Sequence, residues 1–185
     1  RRVFSFPFDD YWDDIGDIRS FFDANIALTK PNPPFNLFHK NFGIYTRSRQ
    51  LPPSKIFGTQ LHESFLAEGC LIYADILQNT IVGVRSRIGK RTVIVNTYVM
   101  GNDRFQYTVD IKPDETHMGI GEDCFIKNAI IEKHVYIGND VTIIGDDSLE
   151  EIETELYTIR KGIVVIHKHA VIPNGTKIGL EKEKL

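Results

Sequence analysis

The sequence feature that most constrains this fold is a six-residue beat of aliphatic side chains. From Ile120 to Ile143 the chain reads IGEDCFIKNAIIEKHVYIGNDVTI, and Ile120, Ile126, Ile131, Ile137 and Ile143 recur six residues apart, with one five-residue step. Cys124, Ile130, Val135 and Val141 follow the first four of these by four positions and are small or β-branched. An amphipathic helix needs apolar residues three and four apart, and a hairpin strand alternates by two without a longer beat. A six-residue period means short strand, corner, short strand. No single rung buries its apolar face, so the unit is stable only as a stack. The same beat runs through Leu66, Ile72, Leu77, Val82, Ile88 and Ile94, with Cys70, Ile76, Ile81, Ser86 and Thr92 expected at the small inward places. It returns at Ile166, Ile172 and Ile178, with Ala170 and Thr176. The expected fold is mainly β, a parallel β-helix of hexapeptide repeats.

The 185 residues are enough to bury a real core. A net charge of −3 gives no basis for nucleic acid or an anionic membrane as partner, so any anion site must be local. Cys70 and Cys124 both fall on inward places, which reads as two buried thiols rather than a disulfide or metal site. No apolar run approaches the ~18 residues of a membrane span, and no signal-peptide pattern opens the chain.

Along the chain, Arg1 to Phe8 reads as a strand already under way, with no initiating Met, and suggests a fragment. Ile15, Ile18, Phe22 and Ile26 then lie three and four apart, predicting a helix with Asp17 as N-cap and Pro31 beyond its end. TKPNPP at 29–34 can sustain neither helix nor central strand. The aromatic and basic run 35–55 is expected as an extended connector into the repeats. Two stretches break the beat as loops leaving a corner would: Asn102 to His117, and the acidic Asp146 to Glu155, expected as a solvated loop. The last coil is expected over Ile163 to Ile178, with a polar tail after it.

Several phrases occur together in one order: YWDDIG at 11–16, LPPSKI at 51–56, EGCLI at 68–72, IVGVRSRIG at 81–89, MG at 100–101 and IRKGIVVIHKHAVIPNG at 159–175. With these the whole chain resembles the C-terminal part of the ADP-glucose pyrophosphorylase (glucose-1-phosphate adenylyltransferase) family. The resemblance implies a left-handed β-helix, against the usual right-handed crossover rule, preceded by the end of a Rossmann-like nucleotidyltransferase domain. On that basis residues 1–30 would close the catalytic domain, 31–55 link, 56–180 form a regulatory and oligomerisation β-helix, and 181–185 a tail. The implied reaction joins ATP and glucose 1-phosphate into ADP-glucose and pyrophosphate, in glycogen or starch synthesis, with Mg²⁺ neutralising phosphate charge. Asp14 of YWDDIG matches a metal-binding aspartate, Asp13 stands at a variable place, and Trp12 would lie against the glucose ring. Asp17 stands where the family usually has Thr. No glycine-rich nucleotide loop is present in this sequence, so this portion alone is not expected to turn over.

The resemblance further implies control by anionic metabolites bound between β-helix and catalytic domain, assembly into a homo- or hetero-tetramer, and a cytoplasmic (in plants, plastid) setting. Arg49, Lys127 and Lys168 match its effector-binding places, with Arg47 and Lys55 as neighbours. A phosphorylated acid needs converging cations, the Arg fork and the Lys point charge, and stacked coils are expected to bring Lys127 and Lys168 together on one face. The rival class is a hexapeptide-repeat acyltransferase using a histidine base, for which His62, His117, His134, His167 and His169 are available. A purely structural module and a UTP- or GTP-using sugar nucleotidyltransferase are the other readings.

Overall fold

The computed structural model describes residues 2–38, 40, 44–106 and 117–180. Its body is a triangular coil of parallel strands. The first face is a six-stranded sheet of two-residue strands: β1 (Lys55–Ile56), β4 (Leu71–Ile72), β6 (Arg87–Ile88), β8 (Gly119–Ile120), β10 (Tyr136–Ile137) and β15 (Val171–Ile172). The other two faces belong to one bent sheet. Its long strands β5 (Ile76–Val82), β7 (Val93–Val99) and β9 (Phe125–Ile131) each turn a corner in mid-strand and stack in register. β2 (Gln60–His62), β11 (Thr142–Ile144) and β16 (Lys177–Gly179) extend the second face; β3 (Phe65–Leu66) and β14 (Ile163–Ile166) extend the third.

The mid-strand corner explains the five-residue step. Asn79, Asn96 and Asn128 sit there at φ of 48°, 47° and 52°, a left-handed conformation that Asn tolerates better than most residues. They also tie the rungs: Asn96 Nδ2 donates to Asn128 Oδ1 at 2.7 Å, and Asn128 Nδ2 to the Gly145 carbonyl at 2.8 Å. Arg91, Asp123 and Asp140 turn the corner from first face to second, and Arg85, His134 and His169 the corner from third to first, all at φ between 55° and 66°.

Inside, Ile72, Leu77, Ile88, Ile94, Ile126, Ile137, Ile143, Ile166 and Ile172 are at most 1% exposed, so the sixfold beat is the core. Cys70 and Cys124 are buried and unbridged, as expected, and burial pushes both thiols upward. The small inward places differ at the long strands. Thr80 and Ala129 point inward there, whereas Ile81 and Ile130 do not join the central cluster; Ala74, ahead of β5, is inward in place of Ile76. The corner residue takes up one position of the count, so the next inward place falls one residue earlier than a plain four-residue offset puts it.

Ile130 has a different partner. Helix α1 (Ile18–Ala27) lies across the third face, and its Phe22 and Ile26 bury against Ile130, Ile163 and Val165, with Ile18, Phe21, Tyr98 and Met100 around them. Asp17 is its N-cap as expected, accepting from Ser20 N at 2.8 Å. Lys161 donates to Asp17 Oδ2 at 2.8 Å, and Arg19 donates to Asp147 Oδ1 at 2.7 Å and to the Lys161 carbonyl at 3.1 Å. Lys161, and secondly the Ser20 amide, hold the Asp17 carboxyl down at about 2. Because the folded value is depressed, this tie is complete above the ordinary carboxylate range and is lost as pH falls from about 4 through about 2. Amide exchange at Ser20 and Phe21 is therefore expected to quicken over that window at constant salt. Unchanged protection would show that the apolar contacts alone hold the helix start.

Two expectations are corrected. Residues 2–9 form no strand; Val3, Phe4 and Phe6 are 83–93% exposed, because a lone strand without a ladder partner leaves its backbone unpaired. The 146–155 excursion is not all loop. Its β12 (Ile152–Glu153) pairs antiparallel with β13 (Tyr157–Arg160), which pairs antiparallel with β14, widening the third face beside α1. Arg160 secures it through Glu153 at 2.9 Å and Glu151 at 3.6 Å. Residues 107–116 of the first excursion and the 181–185 tail lie outside the described residues. No helix among the described residues is long and apolar enough to cross a membrane.

Candidate functional site

The corner column between third and first faces gathers charge. Arg85, His134 and His169 each directly precede a small inward residue (Ser86, Val135, Ala170), so the coils of β6, β10 and β15 set them along one corner. A cleft of about 360 Å³ beside it is lined by Arg47, Ser48, Arg49, Arg85 and Asp103. Arg49 and Arg85 thus border one space, and two guanidiniums on one cleft suit a phosphate or carboxylate. Asp103 connects this cleft to the next coils. It accepts from Lys133 Nζ at 2.7 Å and faces His134 Nε2 at 3.2 Å, and chiefly Lys133 keeps its carboxyl below the usual range. The His134 ring is buried and stacks flat on His169, with centroids 5.2 Å apart. Lys168 comes next, exposed, its backbone N–H donating to Glu132 Oε2 at 2.6 Å.

Lys127 stands elsewhere. It closes the second-face half of β9, exposed, just before the Asn128 corner, and paired in register with Ile144 and Val95. Its charge helps, after two hydrogen bonds from Ser148, to lower the Asp146 carboxyl at the root of the second excursion. Lys127 and Lys168 therefore flank opposite edges of the third face rather than sharing one; residues 129–131 run between them. α1 lies in that span. Of the two neighbours named from sequence, Arg47 joins the Arg49 cleft, while Lys55 lies over the Phe57 ring at 4.8 Å on the first face. Arg85 and Lys133 escaped sequence reasoning, although Arg85 could have been found by listing the residue before each small inward place.

At the other end of α1, Trp12 is 74% exposed and so belongs to no core. Asp14 Oδ1 accepts from Gly16 N at 3.0 Å, and its Oδ2 has no hydrogen-bond partner among the described residues. Asp13 is engaged instead by Tyr11 OH at 3.1 Å. Between residues 15–21 and the third face lies a largely apolar cavity of about 600 Å³, floored by Met100, Ile130 and Val165 and edged by Arg160 and Lys161.

A model of the GLGC left-handed parallel beta-helix domain matches residues 49–177. The chain belongs to that family. The match gives the coil its hand and agrees with the C-terminal portion of ADP-glucose pyrophosphorylase. In this GLGC domain two of the histidines that could have served an acyltransferase are held by other groups. His167 has Nε2 on Thr158 Oγ1 at 2.7 Å and Nδ1 on the Glu155 carbonyl at 3.1 Å. His134 has one ring nitrogen on Asp103 and the other buried. His62 lies exposed on β2 at the outer edge of the sheet.

Proposed function

We propose that this GLGC domain is the regulatory and assembly portion of a glucose-1-phosphate adenylyltransferase, the enzyme that condenses ATP and glucose 1-phosphate to ADP-glucose and pyrophosphate. Small anionic metabolites bind along the corner column and signal through α1, and the portion by itself does not turn over. The observation that carries this reading is the convergence of Arg49 and Arg85 in one cleft, continued through Asp103 and Lys133 towards Lys168. Arg49 and Lys168 hold the effector from the corner, and Lys127 reaches it, or a second anion, from the far edge of the same face. The helix between those edges leads back to its N-cap Asp17, and Asp14 stands three residues before that cap, so α1 is the element that joins the effector face to the segment carrying the catalytic carboxylate.

Asp14 fits a partial Mg²⁺ site. Its Oδ2 is open, and Mg²⁺ needs only one or two protein carboxylates when water and substrate phosphate complete its shell. No cluster of three or more His, Cys, Asp or Glu able to hold a metal occurs among the described residues, so substrate and other residues of the enzyme must supply the rest. When bound, the ion neutralises charge on the transferring phosphates. Trp12, exposed beside it, offers an apolar plate for the glucose ring. The outermost rungs of the coil suit subunit contacts in a homo- or hetero-tetramer.

In the full-length enzyme, Lys168→Ala and Lys127→Ala are each expected to raise the activator concentration for half-effect about tenfold, the loss of one charge-assisted hydrogen bond. Unactivated turnover should stay within about twofold. Steady-state assays titrated with a phosphorylated three-carbon acid and with inorganic phosphate measure both. An activator response equal to the parent's removes these lysines from the site.

A further inference from the structure

A cleft on the first face lies apart from every group assigned above. On that face the residue after each inward isoleucine forms a column, because the backbone N–H groups of Phe57, Tyr73, Gly89 and Gly121 donate in turn to Ile72, Ile88, Ile120 and Ile137. The Phe57 and Tyr73 rings stack in parallel, 4.4 Å apart and 7° from coplanar, with Lys55 over the outer face of Phe57. There the aromatic stack stops. Gly89 and Gly121 carry no side chain, and neither could: a Cβ on Gly89 would strike the Gly121 carbonyl, and one on Gly121 the Gly138 carbonyl. Rungs are spaced by about 4.8 Å, so two rungs without side chains leave room beside Tyr73 for at least one flat ring.

The gap opens into a cleft of about 420 Å³ edged by Arg87, Lys90, His117 and Asn139. Neither the Arg87 nor the Lys90 side chain makes a hydrogen bond or ion pair among the described residues. The carboxylate in the lining, Glu122, is already engaged by Arg91 at 3.0 Å. Burial, and then the Arg87 charge, disfavour protonation of His117. Asn139 Oδ1 accepts from Glu122 N at 2.8 Å, leaving Nδ2 as a donor at the cleft edge.

We propose that this cleft binds a phosphorylated ligand with a flat heteroaromatic ring, a nucleoside monophosphate being the simplest. The ring continues the Phe57–Tyr73 stack over Gly89 and Gly121, Asn139 meets its edge, and the phosphate takes Arg87 and Lys90. Base–aromatic stacking tolerates any base, so the site selects for a ring plus phosphate and not for one base.

The test is calorimetry on the full chain with adenosine 5′-monophosphate, ribose 5-phosphate and inorganic phosphate. Saturable binding of the nucleotide is expected, with ribose 5-phosphate weaker by about tenfold, the size of one base stack. Tyr73→Ala should weaken the nucleotide about tenfold and leave ribose 5-phosphate unchanged, while Tyr73→Phe keeps the affinity. Arg87→Ala should weaken both phosphorylated ligands, and Lys168→Ala neither. Unchanged melting temperature in each variant keeps the comparison valid. Absence of saturable nucleotide binding, or affinity indifferent to Tyr73→Ala and Arg87→Ala, overturns the proposal. So does loss of nucleotide binding with Lys168→Ala alone, which would put the ligand at the corner column.

Discussion

Ile126→Ala is expected to cost about 2–5 kcal/mol of unfolding free energy, towards the upper end of that range. Its side chain is fully buried, with Ile94 above it and Ile143 below in the same inward column. A cavity left by an Ile→Ala change is cheap only where neighbours can collapse into it. Here those neighbours belong to rungs fixed by ladder hydrogen bonds on both sides, so the walls cannot close. Denaturant titration of the full chain measures the loss. A value below about 1 kcal/mol would mean that the column has slack and that the stack is not packed at interior density. Ile130→Ala offers a contrast two residues past the corner. Ile130 faces α1 rather than the coil axis, so its truncation should loosen the helix while sparing the coil.

The second large effect is on chemistry. In the full-length enzyme, Asp14→Asn should reduce turnover by about a hundredfold or more, since losing a metal-ligand carboxylate removes several kcal/mol of charge stabilisation. The Mg²⁺ concentration needed for half-maximal rate should rise with it. Asp13→Asn, which disturbs only the Tyr11 hydroxyl contact, is the control and should stay within a few-fold. Near-normal turnover and Mg²⁺ dependence in Asp14→Asn would take Asp14 out of the mechanism.

The coil was legible because its signal is long-range and redundant: a wrong reading at one isoleucine is corrected by the next. The helix was legible for the same reason on a smaller scale, from Ile18, Phe22 and Ile26 and the Asp17 cap. Failure came where one residue decides. Nothing in NAII says that Asn128 takes a left-handed φ, and that one angle is what sends Ala129 inward and Ile130 outward. The residues after Arg1 look like a strand because hydrophobicity is local, but a strand needs a partner, which pattern alone does not supply. The candidate site was legible as residue types but not as an arrangement. Lys127 and Lys168 each follow an inward isoleucine, which fixes their distance along the chain. Which edge of a triangular prism each one meets depends on the corners between them. Arg85 was passed over because it stands in a coil where no familiar phrase singles out a cation.

The way α1 crosses the third face has a mechanical consequence. It touches β5, β7, β9 and β14, four consecutive turns of the spring, through Phe22 and Ile26 and their neighbours. A solenoid ordinarily comes apart turn by turn from whichever tip is weaker, each turn answering only to the next. A splint laid over four turns makes them yield together or not at all. Whatever pulls or tilts the segment carrying Trp12 and Asp14 is therefore felt by the middle of the spring as a single body, while the turns outside the splint remain free to fray.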